Sequence, residues 1–288
     1  MVKISESLSN FLNLIRWIAA FLVVITHIRT LLFIDIEKVS NSNIFISFFY
    51  FISSLGGEAV IVFFVLSGYL VGGKTFYEFK NSSFNWKIYF INRFSRLYIV
   101  LIPALIIGGF IDYLGINYFN ANQIYNNAFN LVPFNYDIES RLNVYTFISN
   151  IFMMQTTLTP QFGSNGPLWS LANEFWYYVL FPLILNTYFS KNFRNKLFSF
   201  LTIIVISLFL NIDIILHFFI WLIGVYTYTY KKNILNFKFS FSIFIFVLIL
   251  NYFDFFPYSK LEALSLALAI SLMIISISKN IKMEINNV

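Results

Sequence analysis

The first apolar run, Leu8 to Ile34, constrains this chain more than any other stretch. As an α-helix rising about 1.5 Å per residue it is long enough to cross a bilayer. It nevertheless carries Arg16 and His27 well inside its apolar span. At about 100° per residue their spacing is three turns plus about 20°, so they share a face and lie about 16 Å apart along the axis. A charge facing lipid at such depth costs at least a few kcal/mol. That face must therefore meet protein or a water-filled cavity, and ionisable residues placed there mark function first and packing second.

Composition narrows the class. Of 288 residues, 59% are hydrophobic and only 11% are charged, with a mean hydropathy of +0.75. These values exclude a soluble domain and predict an all-α, polytopic transmembrane bundle. The runs do not alternate apolar and polar residues, as barrel strands would. The first run is too long for a signal-peptide core and lacks a small-residue cleavage site, so it is expected to stay as a span. With no cysteine and only two histidines, His27 and His217, thiol chemistry and a Cys- or His-rich metal centre are not expected. The net charge of +6 is read by position along the membrane and not as a nucleic-acid signal.

Eight spans are expected, at about 8–34, 44–71, 97–115, 168–187, 197–211, 213–230, 239–256 and 261–278, within a range of eight to ten for the fold. Basic residues then orient them. Lys3, Lys74, Lys80, Lys87, Arg93, Arg96, Lys191, Arg194, Lys196, Lys231, Lys232, Lys238, Lys279 and Lys282 fall on one side, and only Lys38, Arg141 and Lys260 fall in loops of the other. The positive-inside rule places both termini in the cytoplasm. The segment 116–167 becomes the longest outside loop. Its apolar piece Val144–Met154 is too short to span and is expected to be re-entrant or interfacial. The whole of 1–288 is read as a single membrane domain.

Four stretches carry chemistry. In GGEAVIVFFVLSGYLVGGK, Glu58 lies near mid-membrane by count, with Arg16 as the candidate partner, and Ser67 lies toward the inner face. The glycines of this stretch read as close helix packing. In NRFSRLYIVLIP, Arg93 and Arg96 stand one helical turn apart at the inner interface. They are either positive-inside anchors or a fork of guanidiniums suited to phosphate. In NGPLWSLANEFWYYVLFPLIL, Ser170 and Glu174 share a face, and Glu174 lies in the same membrane half as His27. A carboxylate at that depth would orient an imidazole. His217 reads as a satisfied or interfacial histidine.

Together these pieces resemble acyltransferase family 3, a family of integral membrane acyltransferases. The matching pieces are Arg16 with His27, VFFVLSGYL at 62–70, NRFSRLYIVLIP at 92–103, LWSLANEFWYYVLFPLIL at 168–185 and the weaker FIWLIG at 219–224. The resemblance implies O-acyl transfer, usually acetyl, from cytoplasmic acyl-CoA to a hydroxyl of a surface polysaccharide or lipid-linked glycan. It implies a multi-pass protein of the inner membrane. It makes the first-span pair, here Arg16 and His27, essential, and maps the family's basic motif to Arg93 and Arg96. Members usually run on through one or two more spans with a Ser-Tyr-x-x-Tyr-Leu-x-His segment, which this chain lacks before Val288. The expectation is a short or truncated member without a secreted hydrolase-like domain.

The combined expectation assigns His27 as general base, Glu174 as its orienter and Arg16 to the donor or to the developing negative charge. Arg93, Arg96 and Ser67 hold the acyl-CoA, with no metal. The partners are acyl-CoA, a glycan acceptor and membrane lipid. The competing expectation is a transporter or flippase for a lipid-linked glycan, in which the same intramembrane charges line a polar path; an inactive truncated member is the third.

Overall fold

The computed structural model describes residues 5–34, 36–39, 43–119, 125, 136–230, 235–253, 255–256 and 258–285, with side chains described as far as residue 278. Lys3, Lys231 and Lys232, and the side chains of Lys279 and Lys282, lie outside the described residues. The fold is all-helical, with no strand among the described residues. In chain order the helices are α1 (Glu6–Leu32), α2 (Ile44–Ser54), α3 (Gly56–Ser67), α4 (Gly73–Lys80), α5 (Trp86–Tyr118), α6 (Val144–Ile151), α7 (Leu168–Phe189), α8 (Phe193–Phe209), α9 (Ile212–Thr229), α10 (Phe237–Tyr252) and α11 (Ser259–Ile285).

Each expected span falls on a helix. By length and composition, five helical stretches among the described residues can cross a membrane: Glu6–Leu32, Ile44–Lys80, Trp86–Tyr118, Ile212–Thr229 and Ser259–Ser278. Helix α7 is long enough at 22 residues, but Ser170, Asn173 and Glu174 dilute its first two turns. Helix α8 has 17 residues and α10 has 16. The surface confirms the solvent. Helix α1 leaves Leu14, Trp17, Phe21, Val24 and Leu31 exposed while packing Leu8, Leu12 and Ala19, the arrangement that lipid rather than water permits.

The second span is not one continuous helix. It breaks at Leu55 (φ −73°, ψ 17°), where α2 ends and α3 begins with Gly56 and Gly57. It then widens into a π-helical turn over Gly68–Gly72 before α4. Helices begin where short polar side chains catch free backbone N–H groups. The side chains of Ser5, Asn43, Asn85, Asn143 and Asn236 each accept from the N–H three residues on.

The chain divides into two compact units. The first is Met1–Phe76 with Leu216–Val288, and the second is Tyr77–Ile215. In the first unit α1 and α11 pack on α3, and α10 packs on α11. In the second α5 packs on α6 and α7, and α7 on α8.

Candidate active site

In the first unit, α1 runs unbroken through Arg16 and His27, so the shared face expected from their spacing exists. Arg16 is half-buried and His27 is exposed. Helix α1 meets α3 closely next to this histidine: a Cβ added at Gly56 would lie 2.6 Å from Thr26 Oγ1. Glu58 sits two residues further, in the first turn of α3. It engages its own backbone N–H and faces the charge of Glu262 on α11. An acidic side chain in that first turn complements the positive end of the helix.

Ser67 is placed by α9. Trp221 Nε1 donates to Ser67 Oγ at 3.1 Å, and Trp221 is fully buried. The glycines around it allow backbone contact. A Cβ at Gly68 would lie 1.9 Å from the Trp221 carbonyl oxygen, and one at Gly224 would lie 2.1 Å from the Val65 carbonyl oxygen. Tyr69 meets Tyr228 edge to face at 5.5 Å. The pieces 62–70 and 219–224 are thus the two halves of one helix crossing. His217 is half-buried, its ring 5.9 Å from that of Phe64.

In the second unit, Arg93 and Arg96 lie in the second and third turns of α5. Arg96 is exposed and Arg93 half-buried, with Arg93 Nε buried and without a hydrogen-bond partner. Among the described residues neither forms an ion pair. Phe94, between them, stacks on Phe175 of α7 at 5.0 Å, so the pieces 92–103 and 168–185 also pack together. On α7, Glu174 accepts from the Tyr178 hydroxyl, one turn on, at 2.5 Å. Ser170 donates to the Pro167 carbonyl at 3.0 Å, within the first turn of its own helix. The structure therefore brings Arg16 and Ser67 with His27 into the first unit, and Arg93 and Arg96 with Glu174 into the second.

The stretch 136–167 packs against α5 through residues not singled out in the sequence. Asp112, on α5 and 2% exposed, accepts from the Ser164 N–H at 2.7 Å and the Ser164 hydroxyl at 2.8 Å. Asn165 Nδ2 donates to the Ala104 carbonyl at 3.1 Å, just past Pro103. Gly108 and Gly109 make room there for Asn165 and Phe162. Arg141 lies 3.2 Å over the Tyr136 ring. Burial pushes the Tyr136 phenol above its ordinary range while the Arg141 charge pulls it down. Asp112 was findable by the rule that singled out Glu58, since it is a carboxylate inside an apolar run. Helix α6 exposes Val144, Tyr145 and Ile148 and buries Thr146, Ser149 and Asn150, so its polar face is turned inward.

No group of three or more His, Cys, Asp or Glu side chains among the described residues could hold a metal ion. A family model described as an acyltransferase domain matches residues 9–283. The chain is 30% identical over 153 residues to an uncharacterized protein of Haemophilus influenzae, a match covering 52% of this chain and 57% of that protein. It is 29% identical over 170 residues to the acyltransferase MdmB of Streptomyces mycarofaciens, covering 59% of this chain and 37% of MdmB. The match thus spans about half, or less, of these curated relatives. No solved structure matches.

Proposed function

Because the chain belongs to the acyltransferase family whose domain model matches residues 9–283, we propose that it is a membrane O-acyltransferase moving an acyl group, acetyl first among them, from cytoplasmic acyl-CoA to a hydroxyl of a surface polysaccharide or lipid-linked glycan. The observation that carries this reading is the arginine pair on α5. Two guanidiniums one turn apart, with Arg93 Nε buried and unpartnered and no counter-charge among the described residues, repel each other until an anion arrives. Guanidinium forks match phosphate oxygens bidentately, and the phosphates of CoA supply them at the cytoplasmic face that the positive-inside pattern assigns to this end of α5.

Acyl-CoA supplies the activated thioester; the remaining chemistry falls to side chains. His27 takes the proton from the acceptor hydroxyl as its oxygen bonds to the acyl carbon, and the C–S bond breaks to release the thiolate. The proton then passes from His27 to that thiolate. Histidine suits this role because its side chain gains and loses a proton near neutral pH, and general-base help of this kind contributes about 10²- to 10⁴-fold. Arg16 stabilises the negative charge that grows on the acyl oxygen. Ser67, held by Trp221, is assigned to the donor arm. The chain acts in the inner membrane as a multi-pass protein.

The test is acyl-CoA binding by the detergent-solubilised chain. Saturable binding that is lost in Arg93→Glu/Arg96→Glu but kept in His27→Ala, with transfer abolished in His27→Ala, is expected. A well-folded wild type that binds no acyl-CoA, or a His27→Ala variant that still transfers, would refute it.

A further inference from the structure

Between Arg141 and Glu174 the sequence holds no Asp, Glu, Lys, Arg or His. This uncharged stretch folds as a hairpin, with α6 as its outgoing arm and residues 157–167 as its return. Contacts join the two arms in order. A Cβ added at Gly163 would lie 3.0 Å from Leu142 Cδ2, and the rings of Phe147 and Phe162 pack at 5.3 Å. Asn150 Nδ2 donates to the Pro160 carbonyl at 3.0 Å, and Thr159 Oγ1 to Ser149 Oγ at 2.8 Å. Thr157 N and Leu158 N both donate to the Met154 carbonyl. Met153 and Thr156 turn the tip with positive φ, 57° and 71°.

The hairpin lies along α5. Its open end is at Asp112, which accepts from Ser164. Its tip is at Tyr98, whose hydroxyl donates to the Ile151 carbonyl at 2.9 Å. Those two α5 residues are about 21 Å apart on a helix rising about 1.5 Å per residue. Helix α7 holds the tip as well. Trp176 Nε1 donates to the Met153 carbonyl and Gln155 Nε2 to the Leu168 carbonyl, both at 3.0 Å. The tip therefore points along α5 toward Arg96 and Arg93.

The polarity of the hairpin is inverted relative to a loop in water. Tyr145, Ile148 and Phe152 share the outward face of α6 and are 67%, 48% and 60% exposed, and Leu158 at the tip is 56% exposed. Thr146, Ser149, Asn150, Gln155 and Thr159 are buried. Helix α5, alongside, exposes Ile99, Ile106, Ile107 and Phe110, so one apolar surface runs on into the other. Non-helical backbone is tolerated at membrane depth only where protein covers it. The carbonyls of Met153, Met154 and Pro160 meet that condition, each receiving a donor.

We propose that residues 142–167 form a re-entrant hairpin inserted into the bilayer from the outer side, with Tyr145, Ile148, Phe152 and Leu158 against lipid acyl chains. Acyl chains are the occupant because the face is uncharged and continues the lipid-facing surface of α5. Asp137, Glu139 and Arg141 precede the open end and stay in water. The tip stands at the level of Tyr98, about 3 Å along α5 from Arg96 and about 8 Å from Arg93. Between the arginine pair and the outer side the barrier is then this tip, not a full thickness of bilayer. The inference takes its direction of entry from the basic residues and owes nothing to the transferase reading.

Because the chain has no cysteine, the single variants Glu139→Cys, Tyr145→Cys, Ile148→Cys and Phe152→Cys can be spin-labelled in phosphatidylethanolamine/phosphatidylglycerol vesicles. EPR power saturation then compares oxygen, which concentrates in lipid, with a nickel chelate, which stays in water. Nickel should dominate at position 139 and oxygen at 145, 148 and 152. Positions 145 and 152 are about 10 Å apart along an upright α6, and the label at 152 should read deeper by about 5 Å or more. A smaller difference would mean that α6 lies flat on the surface, and would overturn the proposal. Nickel dominance at 148 or 152, or poor access of both reagents because a second copy covers the face, would overturn it as well. If Phe152→Cys does not fold, Leu158→Cys is read in its place by the same criteria. No acyl donor is present, so failure of the transferase reading leaves the result untouched.

Discussion

Asp112 and His27 both break an apolar helix with an ionisable side chain, and the structure treats them oppositely. Asp112 is buried and doubly hydrogen-bonded to Ser164, which makes it a clamp. His27 is exposed, and among the described residues nothing hydrogen-bonds its imidazole. Three substitutions test this scale. Asp112→Ala should destabilise the chain by about 1.5–3 kcal/mol, the range for a hydrogen bond to a charged group. It should also open the 136–167 stretch to limited proteolysis, while His27→Ala leaves melting unchanged. Thr156→Gly should raise the melting temperature, because relief of a strained φ is worth about 1–3 kcal/mol, and calorimetry in detergent reads the sign directly.

At the scale of elements, α3 and its π-helical turn cross α9 at backbone-to-backbone distance. A methyl group at Gly68 or Gly224 would strike backbone carbonyl oxygens at 1.9 and 2.1 Å, and backbone does not move aside as a flexible side chain would. Gly68→Ala and Gly224→Ala should each cost about 1–3 kcal/mol or more, seen as a melting temperature lower by several degrees. Gly57→Ala, with nothing within 4 Å of its added Cβ, should cost far less. Glycine packing was legible in the sequence; its partner was not, because small residues advertise close approach without saying to what. The break at Leu55 was hidden for a related reason. The run 44–71 is apolar throughout, and hydropathy does not register a change in backbone direction.

At the scale of the molecule, the chain is a membrane acyltransferase family member built from two compact helical units. The absence of cysteine makes its topology directly testable. A single cysteine at Lys38 should react with a membrane-impermeant maleimide in intact cells, and one at Lys191 should react only after the membrane is permeabilised. The opposite pattern would invert the topology and place Arg93 and Arg96 away from the cytoplasm.

The sequence by itself determined the solvent, the helical class, the approximate place of every long helix and the family. These depend on composition, on hydropathy over windows of about 20 residues and on short motifs, all of which are local. It also marked Arg16, His27, Arg93, Arg96 and Glu174, because charge inside an apolar run is conspicuous without a partner. Only the tertiary structure decided that Ser67 is held by Trp221, that Asp112 clamps Ser164, and that Gln155, Thr156 and Thr157 bury oxygens without donors. Those are facts about pairs of residues distant in sequence, or about the lack of a pair, and no local pattern encodes them.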